Sequence, residues 1–303
     1  LPVPAQRIDP PEKFVRLRTL LFVPGDRPDQ MTKALLAGAD ALILDLEDSV
    51  APQRKAQARI DVAAFLNRDA RPVPLFVRVN PLRSGFTDQD LAAVADARPD
   101  GVVLPKAEGA ASVIELARRM NGTAMSATRI LPIATETPAA IFRLGEYGAV
   151  AERLVGVTWG AEDLSTAVGA TSAREPSGSF TAPYEMVRAL TLFAAHAAQV
   201  PAIETVYPAF RDHDGLSHYA ERGARDGFTG MLAIHPSQVK IINAAFTPSA
   251  QIVDRSRRIV AEFNKHPDAG VVSIDGGMFD APHLKQAQRI LAQADAADAS
   301  DPK

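Results

Sequence analysis

Ile130-Leu131-Pro132-Ile133-Ala134-Thr135-Glu136-Thr137-Pro138 is the stretch on which the reading of this chain turns. Five apolar residues, Ile130 to Ala134, suit a short buried strand, and the run stops at a Thr-Glu-Thr joint. Pro138 then fits the first turn of a helix, where its missing N–H costs nothing. A strand passing at once into a helix is the repeating unit of a parallel sheet wrapped by helices. The polar residue at the joint projects from the carboxyl end of its strand.

The same pattern recurs on both sides. Short apolar runs stand at Leu20 to Val23, Ala41 to Leu44, Leu75 to Val79, Gly101 to Leu104, Leu154 to Thr158, Ala202 to Val206 and Met231 to Ile234. With Ile130 to Ala134 this makes about eight strands, the number used by a closed α/β barrel of the (β/α)8 TIM type. Helical periodicity marks Asp29 to Ala37, Gln53 to Leu66, Asp88 to Ala95, Ala111 to Met120, Ala139 to Leu144 and Tyr184 to Gln199. Periodicity alone also fits a doubly wound open sheet, and the strand count favours the barrel. We therefore expect a barrel domain over residues 1–247 and a C-terminal helical extension over 248–303. In the extension, a helix from Pro248 to Asn264 precedes a short hydrophobic piece, Val271 to Asp280, broken at Gly276-Gly277. An Ala- and Gln-rich helix follows from Pro282 to about Ala294, and Asp295 to Lys303 should fray.

Composition narrows the function. In 303 residues, 47% hydrophobic and 23% charged side chains describe a globular chain with ample core material. A net charge of -3 offers no basic field for a phosphate backbone, so nucleic acid is not an expected partner. No stretch approaches the roughly 20 apolar residues of a membrane span. Leu1 to Pro11 is proline-rich and lacks an apolar run, so it does not read as a secretory signal, and the cytoplasm is the expected compartment. The absence of cysteine leaves oxygen or imidazole ligands for any metal, and oxygen suits Mg2+, with Mn2+ as an alternative.

In a barrel the chemistry gathers at the strand ends, where this chain places Asp45, Glu47 and Asp48, then Arg78 and Asn80, Lys106, Glu136, Glu162 and Asp163, Tyr207, and His235. Glu136 and Asp163 come from adjacent strands, and two converging carboxylates call for a cation. Mg2+ commonly takes one or two protein carboxylates and leaves its other positions to water and substrate. The small residues Gly160 and Ala161 before Asp163 let a ligand approach the backbone. The competing reading of Glu136 is helix capping, and the acidic turn Asp45 to Asp48 either caps the helix that follows or builds a hydrogen-bond network around a metal site. Arg78 lies between valines in a strand and requires a buried partner, which points to a clamp for a carboxylate or oxyanion. His235, in Ile234-His235-Pro236-Ser237-Gln238, is either catalytic or held at a turn by its own hydrogen bonds.

Six phrases run in order through nearly the whole chain: Leu20-Leu21-Phe22-Val23-Pro24-Gly25, Leu44-Asp45-Leu46-Glu47-Asp48-Ser49-Val50, Val77-Arg78-Val79-Asn80, Leu104-Pro105-Lys106, Gly160-Ala161-Glu162-Asp163-Leu164 and Ile234-His235-Pro236-Ser237-Gln238. Together they resemble the citrate lyase β-subunit and malyl-CoA lyase family, within the HpcH/HpaI aldolase/citrate lyase superfamily. The resemblance implies a trimeric or hexameric barrel enzyme that uses Mg2+ to cleave or form a carbon–carbon bond in a hydroxyacyl-CoA thioester, releasing acetyl-CoA and a 2-keto acid. By motif position, Glu136 and Asp163 would hold the metal, and Arg78 would bind the acyl oxygen or substrate carboxylate. Gly160, Ala161 and Glu162 would line the keto-acid pocket, with Asp48 among the catalytic candidates. Arg18, Arg27 and Lys33 would meet the CoA phosphates. Gly276-Gly277-Met278-Phe279-Asp280-Ala281-Pro282 is similar to a lid that closes over a neighbouring subunit and carries an acid/base, here Asp280, although the family usually has lysine at the position of Gly277. A thioesterase, an aldolase acting on free keto acids and an acyl-carrier-dependent citrate lyase β-subunit are the alternatives.

Overall fold

The computed structural model describes residues 16–298. The expectations for Leu1 to Pro11 and for residues 299–303 lie outside them. The described chain divides into two compact units, one spanning Leu17–Phe246 and the other holding Arg16 and the residues from Thr247 on. No described helix is long and apolar enough to cross a membrane.

The first unit is a barrel of eight parallel strands: β1 (Thr19–Pro24), β2 (Ala41–Asp45), β3 (Leu75–Arg78), β4 (Gly101–Leu104), β5 (Arg129–Pro132), β6 (Val157–Thr158), β7 (Ala202–Glu204) and β8 (Gly230–Ala233). They lie in the order β5-β4-β3-β2-β1-β8-β7-β6. Isolated parallel bridges, Ile130 to Leu154 and Ile133 to Thr158, join the two ends of that order and close the barrel. Around it run α1 (Pro28–Ala34), α2 (Lys55–Leu66), α3 (Thr87–Val94), α4 (Ala110–Met120), α5 (Pro138–Ile141), α6 (Glu162–Val168), α7 (Ala182–Ala197), α8 (His213–Asp226) and α9 (Pro236–Ala245).

Strand side chains alternate between two separate cores, as the period of two requires. Leu20, Ala41, Ile43, Phe76, Val103, Leu131, Ile203 and Leu232 fill the barrel interior. Leu21, Leu42, Leu44, Val77 and Val102 face outward and pack with helix residues such as Val62, Leu116 and Val239. The same alternation carries Phe22, Asp45 and Arg78 inward, one layer above Leu20, Ile43 and Phe76. A charged layer therefore caps an apolar interior at the carboxyl ends of the strands.

Several elements differ from the sequence expectation. The stretch Ala139 to Leu144 is a single turn, α5, followed by a 3-10 segment Leu144–Arg153, where Gly145 and Gly148 weaken the α-helix. Helices α6, α8 and α9 were not expected. In α8 only Leu216, Tyr219, Ala220 and Gly223 are buried, too thin a stripe within a polar stretch to reveal the helix. The expected strand Leu154 to Thr158 shortens to two residues, with Leu154 contributing only its single bridge.

The second unit comprises α10 (Ala250–Lys265), an antiparallel hairpin of β9 (Val271–Ile274) and β10 (Gly277–Asp280), and α11 (Ala281–Asp298). Gly276-Gly277 is thus a turn joint and not a break. Asp275 and Gly276 both adopt positive φ, 50° and 78°, as a two-residue hairpin loop demands. Gly277 pairs with Ile274. Ile259, Phe263, Val272, Phe279 and Ala287 form this unit's own core. Helix α11 continues to Asp298, so Asp295 to Asp298 are helical where fraying was expected.

One buried polar cluster braces the barrel against its helices. Glu204, fully buried at the end of β7, accepts hydrogen bonds from Trp159 Nε1 at 2.6 Å, Tyr219 Oη at 2.8 Å and Arg188 Nε at 2.7 Å. Arg188 also donates to Asp226 at 2.7 Å. Replacing Glu204 by alanine leaves the Arg188 charge buried without its fully buried partner, with only the half-buried Asp226 beside it. Chemical denaturation should show a loss of about 3–5 kcal/mol. A loss below about 1 kcal/mol would mean that the cluster does not brace the fold.

Candidate active site

A cavity of about 300 Å³ opens at the carboxyl ends of the strands, lined by Phe22, Asp45, Arg78, Ile133, Glu136, Trp159, Gly160, Ala161, Glu162, Asp163, Thr205 and Ile234 among others. Behind and beside its lining runs a ladder of charges of alternating sign. Asp45 anchors it, taking Arg78 Nε on Oδ1 and Arg78 Nη2 on Oδ2, both at 2.7 Å. The Asp45 oxygens also accept the backbone N–H groups of Glu47, at 2.9 Å, and Ser49, at 3.1 Å. Burial alone would raise this carboxyl, but the Arg78 charge and these hydrogen bonds outweigh it and hold Asp45 below its ordinary range.

The free face of the Arg78 fork points onward. Nη1 lies 2.9 Å from Glu47 Oε2, and the guanidinium sits 4.7 Å from the centre of the Phe22 ring. Glu47 Oε2 is buried and makes no aligned hydrogen bond. Its other oxygen accepts Lys106 Nζ at 2.6 Å. Burial pushes the Glu47 carboxyl above its ordinary value, against the pull of Arg78 and Lys106. The turn that presents Glu47 is tied by Lys55 Nζ, which donates to the carbonyls of Leu46 and Glu47 at 2.8 and 2.9 Å, and by Asn80 Nδ2, which donates to Leu46 at 2.8 Å.

Lys106 is the next rung. Its ammonium lies 3.5 Å from Asp163 Oδ1 and 3.8 Å from Asp48 Oδ2. Its backbone takes φ of 51°, in the left-handed region that costs a non-glycine residue about 1 kcal/mol. In that conformation its N–H donates to Glu136 Oε2 at 2.5 Å. The residue that caps α5 is Thr137, whose hydroxyl accepts the Ala140 N–H, so Glu136 does not act as a helix cap. Nor does a side chain of Asp45, Glu47 or Asp48 cap the following helical turn, which starts after Ala51.

Glu136 and Asp163 thus line one cavity. Glu136 is buried, whereas Asp163, in the first turn of α6, is 38% exposed and open to the cavity. Gly160 makes room between the strands that carry them. A Cβ there would lie 2.9 Å from Glu136 Cγ and 3.3 Å from its Oε1. Thr135 Oγ1 fixes this glycine from both sides, accepting from its N–H at 3.0 Å and donating to its carbonyl at 3.1 Å. The donors are all oxygen, and Glu136 is pushed up to about 8, chiefly by burial, with Glu47 and Asp163 adding and Lys106 opposing. A divalent cation would relieve that cost, and two carboxylates with open positions beside them fit Mg2+.

The remaining candidates fall in different places. Arg27, 60% exposed, stands between β1 and α1 beside Asp26, and Lys33, 80% exposed, is in the last turn of α1 near Asp29. Arg18 does not join them. It precedes β1, at the amino-terminal end of the barrel, and is paired with Asp40 at 2.9 Å. Asp48 is exposed, with its carboxylate near Lys106. His235 accepts the Ser237 N–H on Nδ1 in a capping box at the start of α9 and stacks on Phe210 at 4.6 Å, which is the turn-holding arrangement. Tyr207 donates to Asp212 at 2.7 Å. Asp280 belongs to the second unit, where His283 Nδ1 lies 2.5 Å from its carboxylate. The bracing of Trp159 by Glu204 and the pinning of the Leu46-Glu47 turn by Lys55 had no sequence signal beyond an acid at a strand end and a lysine in a helix.

The raised Glu136 group has a consequence for stability. An acid whose folded value, about 8, exceeds its ordinary 4.5 favours folding most below that ordinary value. The contribution is lost as pH rises through about 8. The melting temperature of the metal-free protein should therefore fall between about pH 5 and pH 8, and Glu136→Gln should flatten that fall. The same slope in both proteins would show that Glu136 is not buried as an uncompensated acid.

Comparison with known proteins identifies the family of this barrel. The model of the HpcH/HpaI aldolase/citrate lyase family matches residues 18–236, a span that takes in all eight barrel strands. The chain is 35% identical over 274 residues to the citrate lyase subunit beta-like protein of Mycobacterium tuberculosis, covering 90% of this chain and 94% of that one. It is 31% identical over 305 residues to the mitochondrial citramalyl-CoA lyase of Rattus norvegicus, covering 93% and 87%. Among solved structures, CitE from Mycobacterium tuberculosis in complex with magnesium, acetoacetate and coenzyme A matches with a TM-score of 0.78 at 34% identity, over 93% of this chain and all of that one. The barrel, the strand-end motifs and these likenesses place the chain in the HpcH/HpaI aldolase/citrate lyase family.

Proposed function

We propose that this chain is a Mg2+-dependent carbon–carbon lyase acting on a hydroxyacyl-CoA thioester of the citryl, malyl or citramalyl type, working as a homotrimer or homohexamer. The observation that carries the reading is the convergence in one cavity of the Arg78 fork with the carboxylates of Glu136 and Asp163. It draws support from relatives named for citrate lyase and citramalyl-CoA lyase, and from the CitE complex with magnesium, acetoacetate and coenzyme A.

The reaction removes the substrate's hydroxyl proton, breaks the adjacent carbon–carbon bond to leave a 2-keto acid, and passes the bonding pair to the thioester as an enolate. Protonation of the enolate gives acetyl-CoA. A Mg2+ ion held by Glu136 and Asp163 would supply Lewis acidity toward the substrate's hydroxyl and carboxylate oxygens. Arg78, held rigid by Asp45, directs positive charge at the oxygen where negative charge develops. Gly160 and Ala161 offer a wall without side-chain bulk for the keto-acid end. In this reading Asp280 exchanges the proton. Its carboxylate lies beside His283 Nδ1, whose hydrogen bond holds it below the ordinary carboxylate range.

Incubating the protein with Mg2+ and a panel of hydroxyacyl-CoA esters, while following acetyl-CoA and free CoA separately, tests the assignment. Acetyl-CoA release that stops with EDTA is the expected result. Free CoA alone would indicate a thioesterase, and silence on every ester would favour a carrier-dependent subunit or a free-acid aldolase. Arg78→Lys should lower kcat/KM by about 10²–10³. Asp280→Ala should spare Mg2+ binding while removing most turnover, and an unchanged rate would take Asp280 out of the mechanism. Gly160→Ala, whose methyl would press on the Glu136 side chain, should weaken Mg2+ binding.

A further inference from the structure

We infer that Lys106 is a built-in counter-ion of the cation site, holding the two carboxylates in place in the metal-free protein and setting the affinity for the incoming metal by competing with it for Asp163. This rests on the reading of Glu136 and Asp163 as the metal ligands. One residue touches both of them by different means. Its backbone N–H is bonded to Glu136 Oε2, and its ammonium reaches Asp163 Oδ1 at 3.5 Å. The two contacts differ in what a metal would do to them. A neutral N–H bonded to one carboxylate oxygen leaves the other oxygen available to a cation, so that contact survives. The ammonium is a full positive charge beside Asp163, and it opposes a second cation there.

The ladder also provides the place to which the ammonium retreats. Glu47 Oε1 already holds it at 2.6 Å, and Glu47 is fixed from behind by the Arg78 fork and by Lys55 at its carbonyl. Lys106 can give up Asp163 without losing its main partner. The left-handed backbone of Lys106 fits the same assignment, because a non-glycine residue in that conformation is retained where its N–H and its side chain are both in use. A lysine whose sole purpose was to pair with Glu47 would not require its own backbone to point at Glu136.

The test is the dissociation constant for Mg2+ alone, measured by calorimetry on the full chain and on two variants. Lys106→Met removes the charge and keeps the bulk, and Lys106→Gly removes the side chain while accepting positive φ without strain. Both retain the N–H to Glu136. Removing the competing charge should tighten Mg2+ binding by about tenfold in each variant. The melting temperature of metal-free Lys106→Met should fall and be recovered by Mg2+. Unchanged or weaker binding in both folded variants overturns the counter-ion role. If the unaltered chain itself binds neither Mg2+ nor Mn2+, the metal-ligand reading fails first and the inference with it, an outcome recognisable because it needs no variant.

Discussion

The pairing of Asp45 with Arg78 is the interaction on which the site depends. Taking a guanidinium into a barrel interior costs several kcal/mol unless a carboxylate meets it with good geometry. Asp45 does so with two parallel hydrogen bonds, and it also accepts two backbone N–H groups from the turn that follows β2. The pair thus ties β3 to β2 and shapes the Leu46-to-Ser49 turn. It also leaves one nitrogen of the fork aimed at Glu47.

From that anchor the charges alternate around the strand ends, from Asp45 to Arg78, Glu47, Lys106 and Asp163. Each carboxylate in the series has a cation beside it, and Glu136 has chiefly the N–H of Lys106. That imbalance is what a divalent cation would correct. In the proposed chemistry the Arg78 fork, the carboxylates of Glu136 and Asp163 and the small residue Gly160 all line the one cavity.

Much of this was legible in the sequence because a barrel converts linear grammar into geometry. Each apolar run that ended in a polar residue became a strand with that residue at the mouth, so Asp45, Arg78, Glu136 and Asp163 could be named from their flanks. What the flanks could not supply was partnership. Arg78 required a carboxylate, but nothing local showed that Asp45, 33 residues away, provides it. Lys106 read only as one more polar strand end, since neither its positive φ nor its contact with Glu136 is written in Leu104-Pro105-Lys106. His235 was ambiguous until Ser237 and Gln238 closed its capping box. The resemblance grouped Arg18 with Arg27 and Lys33, and β1 stands between them, with Arg18 before the strand and Arg27 after it. The Asp275-Gly276 hairpin was a missed element with a plain local signal, an Asp-Gly pair between short apolar runs.

The central claim is that Glu136 and Asp163 form an oxygen-ligand site for a divalent cation at the mouth of the barrel. Anomalous diffraction from crystals grown with Mn2+ tests it most directly. The account predicts a single strong peak within about 2.0–2.2 Å of carboxylate oxygens from both residues, with its other positions held by water. A peak on other side chains, or no peak in the cavity at a Mn2+ concentration that stabilises the protein, would contradict it.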